Sequence, residues 1–169
     1  MNQLAFNNVC ALFNAVGIGF DLITHAPCRT SAESYETRLN AGFDAVGAKA
    51  LVVKLTLDDR SEEFDVLVLP GHARLDSAKL KSAISSLKKF RFATPDELWE
   101  LCGVKPGAMP PFSKSIFPML SKLYIDESIT RVGLVGFNAA SLENSIVVSS
   151  DEYLKIAAYD AIIDFAEEP

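Results

Sequence analysis

Two side chains in the segment His25-Ala26-Pro27-Cys28 are of types that perform nucleophilic chemistry. A cysteine thiolate with a histidine base forms covalent intermediates with esters and amides. The members of such a dyad normally meet in space rather than along the chain, however, and Pro27 keeps this segment extended. A thiol enzyme based on Cys28 therefore stays an alternative. With two histidines, three scattered cysteines and no Cys-x-x-Cys pair, the sequence predicts no metal site and no cofactor.

Lys49 lies in the almost continuously apolar stretch 48–55, which predicts a central strand. A lysine in such a strand must reach water, pair with a carboxylate or face a polar cavity. Lys54 follows five residues later, so it points to the opposite face of a regular strand. We expect one of the two lysines to face inward or into a cleft. The alternative is that both lie at sheet edges.

The segment 102–112 offers backbone chemistry rather than side-chain chemistry. It contains two glycines and three prolines, at positions 103, 107, 106, 110 and 111. Proline fixes φ and removes an N–H group, while glycine adopts angles closed to other residues. Such a loop either binds a ligand through its N–H and C=O groups or serves as a rigid connector.

Helices and short strands surround these segments without regular βα alternation. Apolar spacing predicts a first helix over about 4–16, and Thr30-Ser31-Ala32-Glu33 is a capping box that begins a second. A hairpin is expected to turn at 58–60, between strands 48–55 and 64–69, and a helix follows over 76–86. Thr94-Pro95-Asp96-Glu97 begins a helix that leads into the Gly/Pro loop.

Beyond this loop we expect strands near 123–126, 132–137 and 145–148, then a last helix from about 149 to 156 or further. The fold class predicted is α+β, with a mixed, largely antiparallel curved sheet flanked by helices. No repeat or linker interrupts the 169 residues, so residues 1–169 are predicted to form a single domain.

The formal net charge is -6, which argues against DNA as a partner because nucleic-acid wrapping needs a basic face. Charge is unevenly spread, since residues 74–91 carry six basic residues against one acid and the tail from 151 is acidic. The basic segment is either a phosphate-binding patch or a solvated helix face, and the tail either a docking surface or a solvated helix. No signal sequence or long apolar run is visible, so we expect no membrane partner and a cytoplasmic location.

Five blocks, in this order, resemble the YbaK/EbsC family, which is related to the editing domain of bacterial prolyl-tRNA synthetases. They cover about residues 22–154 and are residues 25–33, 47–53, 69–76, 93–112 and 137–142. The resemblance implies hydrolysis of the ester between a mischarged amino acid and the terminal ribose of tRNA. The implied partner is therefore the acceptor end of aminoacyl-tRNA, bound by a monomer or small homo-oligomer acting in trans.

The same resemblance assigns catalytic roles to Lys49 and to the backbone of the loop from Gly107 to Pro111. A vicinal ribose hydroxyl is implied to help activate the attacking water. Substrate contacts are implied for nine further residues: His25, Thr30, Ala108, Met109, Pro110, Asn138, Ala139, Ala140 and Ser141.

Two positions depart from the family pattern. Ala140 stands where the family often has glycine, and Ser113 stands where a glycine usually follows the Pro-Phe pair. A side chain at residue 140 could narrow the pocket or alter the turn. The alternative function is therefore a non-catalytic module of the same fold that binds an amino acid, a nucleotide or a tRNA end.

Overall fold

A computed structural model describes residues 1–168 of the chain. The helices are α1 (Gln3–Ala15), α2 (Ser31–Asn40), α3 (Ser77–Ala83), α4 (Pro95–Cys102) and α5 (Ser150–Ile156), with a 3-10 helix at Glu127–Arg131. The strands are β1 (Asp21–Thr24), β2 (Val46–Leu57), β3 (Glu62–Pro70), β4 (Arg74–Leu75), β5 (Leu87–Phe92), β6 (Leu123–Asp126), β7 (Leu134–Asn138), β8 (Asn144–Ser149), β9 (Ala161–Ile163) and β10 (Ala166–Glu167).

One mixed sheet has the strand order β1-β8-β7-β2-β3-β6-β9, and β5 also pairs with β2. β2 pairs antiparallel with β3 and β5, but its first residues, Val46 and Gly47, pair in parallel with Val135 and Gly136 of β7. β2 thus changes partner along its length, joining two parts of a curved sheet. Strands β3–β6 and β6–β9 are also parallel, while β7–β8 and β1–β8 are antiparallel. The predicted α+β class is confirmed.

Local sequence explains where the helices begin. Thr30 and Glu33 form the predicted capping box at α2, and Thr94 and Glu97 form another at α4, where Pro95 occupies the first turn. The hairpin between β2 and β3 is also confirmed, with Arg60 at a φ of 70° in its turn. The helix expected over 76–86 is shorter, because the chain leaves helical geometry at Ile84 and enters β5 at Leu87.

Buried residues form two hydrophobic clusters. The larger one contains α1, α4, α5 and the end of the Gly/Pro loop, whereas the smaller one lies beneath α3 and includes Phe165. In the larger cluster, the ring centroid of Phe112 lies 5.8 Å from that of Phe137 and 5.8 Å from that of Tyr153. The loop is therefore anchored in the core at its far end. Within residues 1–168, no helix has the length and apolar character needed to span a membrane.

The last helix ends at Ile156, as predicted, and does not continue into the acidic tail. After α5 the chain forms β9 and β10 rather than extending the helix, because Asp126 accepts hydrogen bonds from the backbone N–H groups of Phe165 (2.8 Å) and Ala166 (2.7 Å). The tail also meets the basic segment, since Lys79 Nζ lies 2.9 Å from Asp164 Oδ1. The two segments of opposite charge thus contact each other, which neither of the alternatives offered for them had anticipated.

Candidate active site

A pocket of about 200 Å³ opens where α2, the start of β2, the end of β7 and the Gly/Pro loop meet. Three basic residues, Arg29, Arg38 and Lys49, are among the residues that line it, and none of its lining residues is acidic. Because the whole chain carries a net charge of -6, this local excess of positive charge is unusual. We call it the cationic pocket.

Lys49 faces the cationic pocket, and Lys54 does not line it. The ammonium group of Lys49 donates to the carbonyl oxygen of Ala73 (2.6 Å), and desolvation by burial lowers its pKa. Lys54 instead pairs with Glu62 at 2.6 Å. This matches the expectation that one of the two lysines faces a cleft. The catalytic role of Lys49 stays a prediction.

The Gly/Pro loop forms one wall of the pocket through a tight turn. Ala108 N donates to Lys105 O (3.0 Å), with Pro106 and Gly107 at the central positions and Gly107 at a φ of +87°. These features are those of a type II turn, which requires a positive φ at its third residue. A Cβ atom at Gly107 would lie 3.2 Å from the carbonyl oxygen of Arg29, so glycine is favoured here by both angle and space.

A chain of hydrogen bonds connects His25 to this turn. His25 Nε2 lies 2.8 Å from Ser145 Oγ, which donates to Asn138 Oδ1 (3.1 Å). Asn138 Nδ2 in turn donates to the carbonyl oxygen of Gly107 (2.8 Å). Asn138 lines the pocket, while His25 lies behind it. The geometry therefore gives His25 a position from which it supports the pocket wall without lining it.

The predicted site residues divide into three groups. The cationic pocket is lined by five of them: Thr30, Lys49, Gly107, Met109 and Asn138. A neighbouring cavity of about 280 Å³, on the other side of the loop, is lined by Ala108, Ala140 and Ser141. Four lie behind these walls, outside the lining of both cavities: His25, Pro110, Pro111 and Ala139. Pro111 is held from the core, where Tyr153 donates to its carbonyl oxygen (2.8 Å).

The two departures from the family pattern lie outside the cationic pocket. Ala140 adopts a φ of +54°, so the turn keeps the left-handed conformation that glycine would adopt more easily. Ser113 is buried, and its hydroxyl has no hydrogen-bond partner in the described part of the chain. Neither side chain narrows the pocket.

Cys28 is buried and is not among the residues that line the cationic pocket. Its sulfur lies 3.5 Å from His25 Nδ1 and 3.3 Å from Thr37 Oγ1, and only 4% of the residue is exposed. Cys28 lines neither the cationic pocket nor the neighbouring cavity. This placement gives a substrate in the pocket no access to the thiol, and it therefore disfavours the thiol-enzyme alternative.

Arg38, like Arg29, is a basic pocket residue that sequence reasoning missed. It lies in the last turn of α2, where an arginine usually reads as a solvated residue that interacts with the helix dipole. In the structure it is 1% exposed and lines the cationic pocket. The only trace in the sequence is indirect: Gly47 and Gly136, which make room for it, are strand residues without a side chain to pack.

Comparison with known proteins agrees with the motif analysis. A family model described as the aminoacyl-tRNA editing domain matches residues 25–156. The multifunctional Ser/Thr-tRNA deacylase ProXp-y of Escherichia coli (strain K12) is 33% identical over 159 residues, which cover 92% of this chain and 89% of that protein. Proline–tRNA ligase of Dechloromonas aromatica (strain RCB) is 33% identical over 88 residues, or 52% of this chain and 15% of the ligase.

Solved structures show the same fold. A crystal structure described as a candidate trans-editing enzyme for prolyl-tRNA synthetase has a TM-score of 0.73 at 20% identity, covering 96% of this chain and 97% of that one. The family model matches well over half of the chain, and the resemblance inferred from the five blocks is confirmed. The chain belongs to the aminoacyl-tRNA editing domain family.

Proposed function

We propose that this protein is an aminoacyl-tRNA deacylase, which acts in trans and hydrolyses the ester bond of mischarged tRNA in translation quality control. The observation that carries the proposal is a pocket with three basic residues and no acidic one, walled by the Gly107 turn, in a chain of the editing family. The E. coli relative named as a Ser/Thr-tRNA deacylase, similar over nearly the whole of both chains, supports the same activity.

The chemistry suits these residues because an aminoacyl ester is already labile. Hydrolysis needs an oriented water and donors for the negative charge that develops on the carbonyl oxygen, and one well-placed donor is worth roughly 3–4 kcal/mol. Lys49 supplies a cation for the terminal phosphate or ribose, or for the oxyanion. The amide N–H groups of Gly107 and Met109 have no acceptor within residues 1–168, so the turn has backbone donors to offer.

Water is the proposed nucleophile. The pocket contains the hydroxyl groups of Thr30, Ser31 and Ser34, but no histidine or carboxylate in its lining could activate one of them as a base. Thr30 is in addition engaged in capping α2, where its Oγ1 accepts from Glu33 N. The base is accordingly assigned to the substrate, in the form of the vicinal ribose hydroxyl.

The proposal also includes two further points: residues 1–169 form one domain, and the protein acts in the cytoplasm.

The test is deacylation of a panel of mischarged tRNAs, beginning with seryl and threonyl esters on noncognate tRNAs and extending to alanyl and cysteinyl esters. We expect hydrolysis of at least one ester well above the rate without protein. Tight binding of a charged tRNA by calorimetry, without hydrolysis of any ester in the panel, would instead indicate the non-catalytic binding module. Neither Ala140 nor Ser113 lines the pocket, so no structural observation favours that alternative.

A further inference from the structure

Arg38 is a buried cation that no protein group neutralises. Its side chain is 1% exposed, and no ion pair or hydrogen bond to its guanidinium is found within residues 1–168. Its Nε atom is fully buried without a partner. Buried charges in proteins are almost always paired, because removing a charge from water is costly. An unpaired guanidinium at the edge of a pocket therefore points to an anion that comes from outside the chain.

The fold makes room for this side chain at one place in the sheet. Gly47 of β2 and Gly136 of β7 are register partners in the parallel pair, and Arg38 lies across both. A Cβ atom at Gly136 would lie 2.4 Å from Arg38 Cδ and Nε, and one at Gly47 would lie 3.3 Å from Nη2. Any side chain at Gly136 would displace the guanidinium. The position of Arg38 is thus built by the backbone of two strands.

The second cation of the pocket lies close to the same backbone. Gly71 N donates to Gly47 O (2.7 Å), and the Lys49 ammonium lies 3.5 Å from Gly71 O. Burial lowers the pKa of Arg38 and also that of Lys49, so both positive charges are held in a poorly solvated place. A bound anion would offset this cost for both groups.

We propose that Arg38 is the buried element of an oxyanion-binding site in the cationic pocket, and that in the deacylase reaction it holds the carboxylate of the amino acid that hydrolysis releases. A guanidinium presents a fork of N–H donors that matches the two oxygens of a carboxylate. The assignment to the amino acid rests on the proposed function. The existence of an anion site does not.

Because Arg38 is deeply buried, a carboxylate is a better candidate for its partner than the phosphate between the last two nucleotides of the tRNA. An internal phosphodiester continues into chain on both sides, whereas the carboxylate that hydrolysis releases is the free end of a small molecule that fits a small pocket. In the reaction, water adds to the ester carbonyl carbon and the bond from that carbon to the ribose oxygen breaks. The ribose oxygen takes up a proton, and the amino acid leaves as a carboxylate with one proton released to solvent. Charge thus develops on oxygens that Arg38 can bind.

The test follows the Nε–Hε resonance of Arg38 by NMR in the labelled wild-type protein, assigned through its own side-chain carbons. Sodium acetate, serine and inorganic phosphate are titrated separately, with sodium chloride at equal ionic strength as the control. Arg131, which is exposed and pairs with Glu127, serves as the reference resonance. We expect acetate and serine to shift the Arg38 resonance until it saturates, while the Arg131 resonance stays in place.

Other outcomes overturn the proposal. A shift caused by phosphate but not by acetate or serine would assign the site to phosphate and refute the carboxylate assignment. Equal shifts of Arg38 and Arg131, or no shift with any anion, would refute the site itself. Because these titrations use no tRNA, a failure of the deacylase proposal would be recognised separately, as binding of acetate without hydrolysis of any charged tRNA.

A variant adds a kinetic measurement. Arg38→Lys keeps the charge but removes the fork of donors, so we expect the single-turnover rate of deacylation to fall at least tenfold. The apparent affinity for tRNA should stay within about twofold, since an amino-acid contact contributes little to binding of the nucleic acid. An unchanged rate in a folded variant would contradict the catalytic part of the proposal.

Discussion

Arg38 of α2 and Asp65 of β3 are both buried charged residues, and they differ in what can reach them. Arg38 lies across the glycine pair of β2 and β7 and lines an open pocket. Asp65 of β3 is fully buried, with one oxygen accepting from Lys122 N (2.9 Å) and the other without a partner within residues 1–168. Burial, with Glu63 and Asp160 nearby, raises the pKa of Asp65 to about 7.

The difference follows from the chemistry of the two groups. A carboxyl group in a closed site can lose its charge by taking a proton near neutral pH, so Asp65 needs no external partner. A guanidinium keeps its proton at any physiological pH, so burial leaves its charge in place. A buried arginine that has no carboxylate partner is therefore tolerated where an anion can enter from solvent. A buried aspartate that has no cation partner is tolerated even where no ion can enter. The surroundings of Asp65 are thus a closed site, and the cationic pocket around Arg38 and Lys49 is an open region.

The largest effect is expected at the closed site. The folded-state pKa of Asp65, about 7, is above the ordinary value of 3.8, so the folded protein binds more protons than the unfolded chain between these values. Its contribution to the free energy of unfolding is complete below pH 4 and is lost as the pH rises to about 7. We expect Asp65→Asn to remove this loss, which amounts to about 4 kcal/mol. Urea unfolding across this pH range measures it.

A matched control for Asp65 is Glu97→Gln. The hydrogen bonds from Arg91 lower the pKa of Glu97 to about 2, so this carboxylate is charged in both states between pH 5 and 7 and adds no slope there. If wild-type protein and Asp65→Asn lose stability equally over that interval, Asp65 is not the group that titrates.

Next in size is the open region, where Lys49 and Lys54 form a natural pair of variants on one strand. We expect Lys49→Ala to lower kcat/KM for deacylation by roughly 10²–10³, or about 3–4 kcal/mol, through loss of a donor to the developing charge. Lys54→Ala removes a half-exposed ion pair with Glu62 and should change the rate less than about twofold. Equal losses in the two variants would show that general charge, rather than the pocket, is responsible.

Much of the fold, and less of the site, could be predicted from the sequence. Capping boxes and apolar strands depend on neighbouring residues, so α2, α4 and β2 were found within a few residues. Burial of Arg38 depends on glycines 9 and 98 positions further along the chain, which no local pattern connects to it. The tail strands likewise depend on Asp126, a distant acceptor for their backbone. Long-range contacts are thus what the sequence did not reveal.

A smaller effect is expected at the wall of the open region. Gly107→Ala forces a side chain into a φ of +87° and places its Cβ 3.2 Å from Arg29 O, which should cost about 1–2 kcal/mol of stability. Turnover should fall on the order of tenfold or more, because the proposed mechanism uses the turn to position the carbonyl of the substrate. Gly133→Ala is the control, since no atom lies within 4 Å of its added Cβ. Thermal melts measure the effect on stability, and deacylation rates measure the effect on turnover. An unchanged rate in Gly107→Ala would show that the turn has no role in turnover.

Substitution of Ser113, in the core behind the loop, should change stability but not turnover. Its buried hydroxyl has no partner in the described residues, so Ser113→Ala is expected to raise the free energy of unfolding by about 1 kcal/mol without changing turnover. Ser150 gives the contrast, because its buried hydroxyl donates to Ile129 O and Ser150→Ala should be destabilising by a similar amount. Urea unfolding measures the change in the free energy of unfolding of each variant. Changes of the same sign in Ser113→Ala and Ser150→Ala would contradict the prediction.

The smallest net effect is expected at Ala140, a buried residue in the wall of the neighbouring cavity. Its φ of +54° costs an alanine about 1–2 kcal/mol, which glycine would relieve. Against this, Ala140→Gly loses a fully buried methyl group, worth roughly 0.8 kcal/mol, and increases the entropy of the unfolded chain by about 0.4–1 kcal/mol. The two sides nearly cancel, so stability should change by less than about 0.5 kcal/mol.

Ala139→Gly is the control, because it loses the same buried methyl without relief of a positive φ. It should be destabilising by about 1–2 kcal/mol. The difference between the two variants in urea unfolding measures the strain at residue 140, and equal losses would mean that this turn holds alanine without strain.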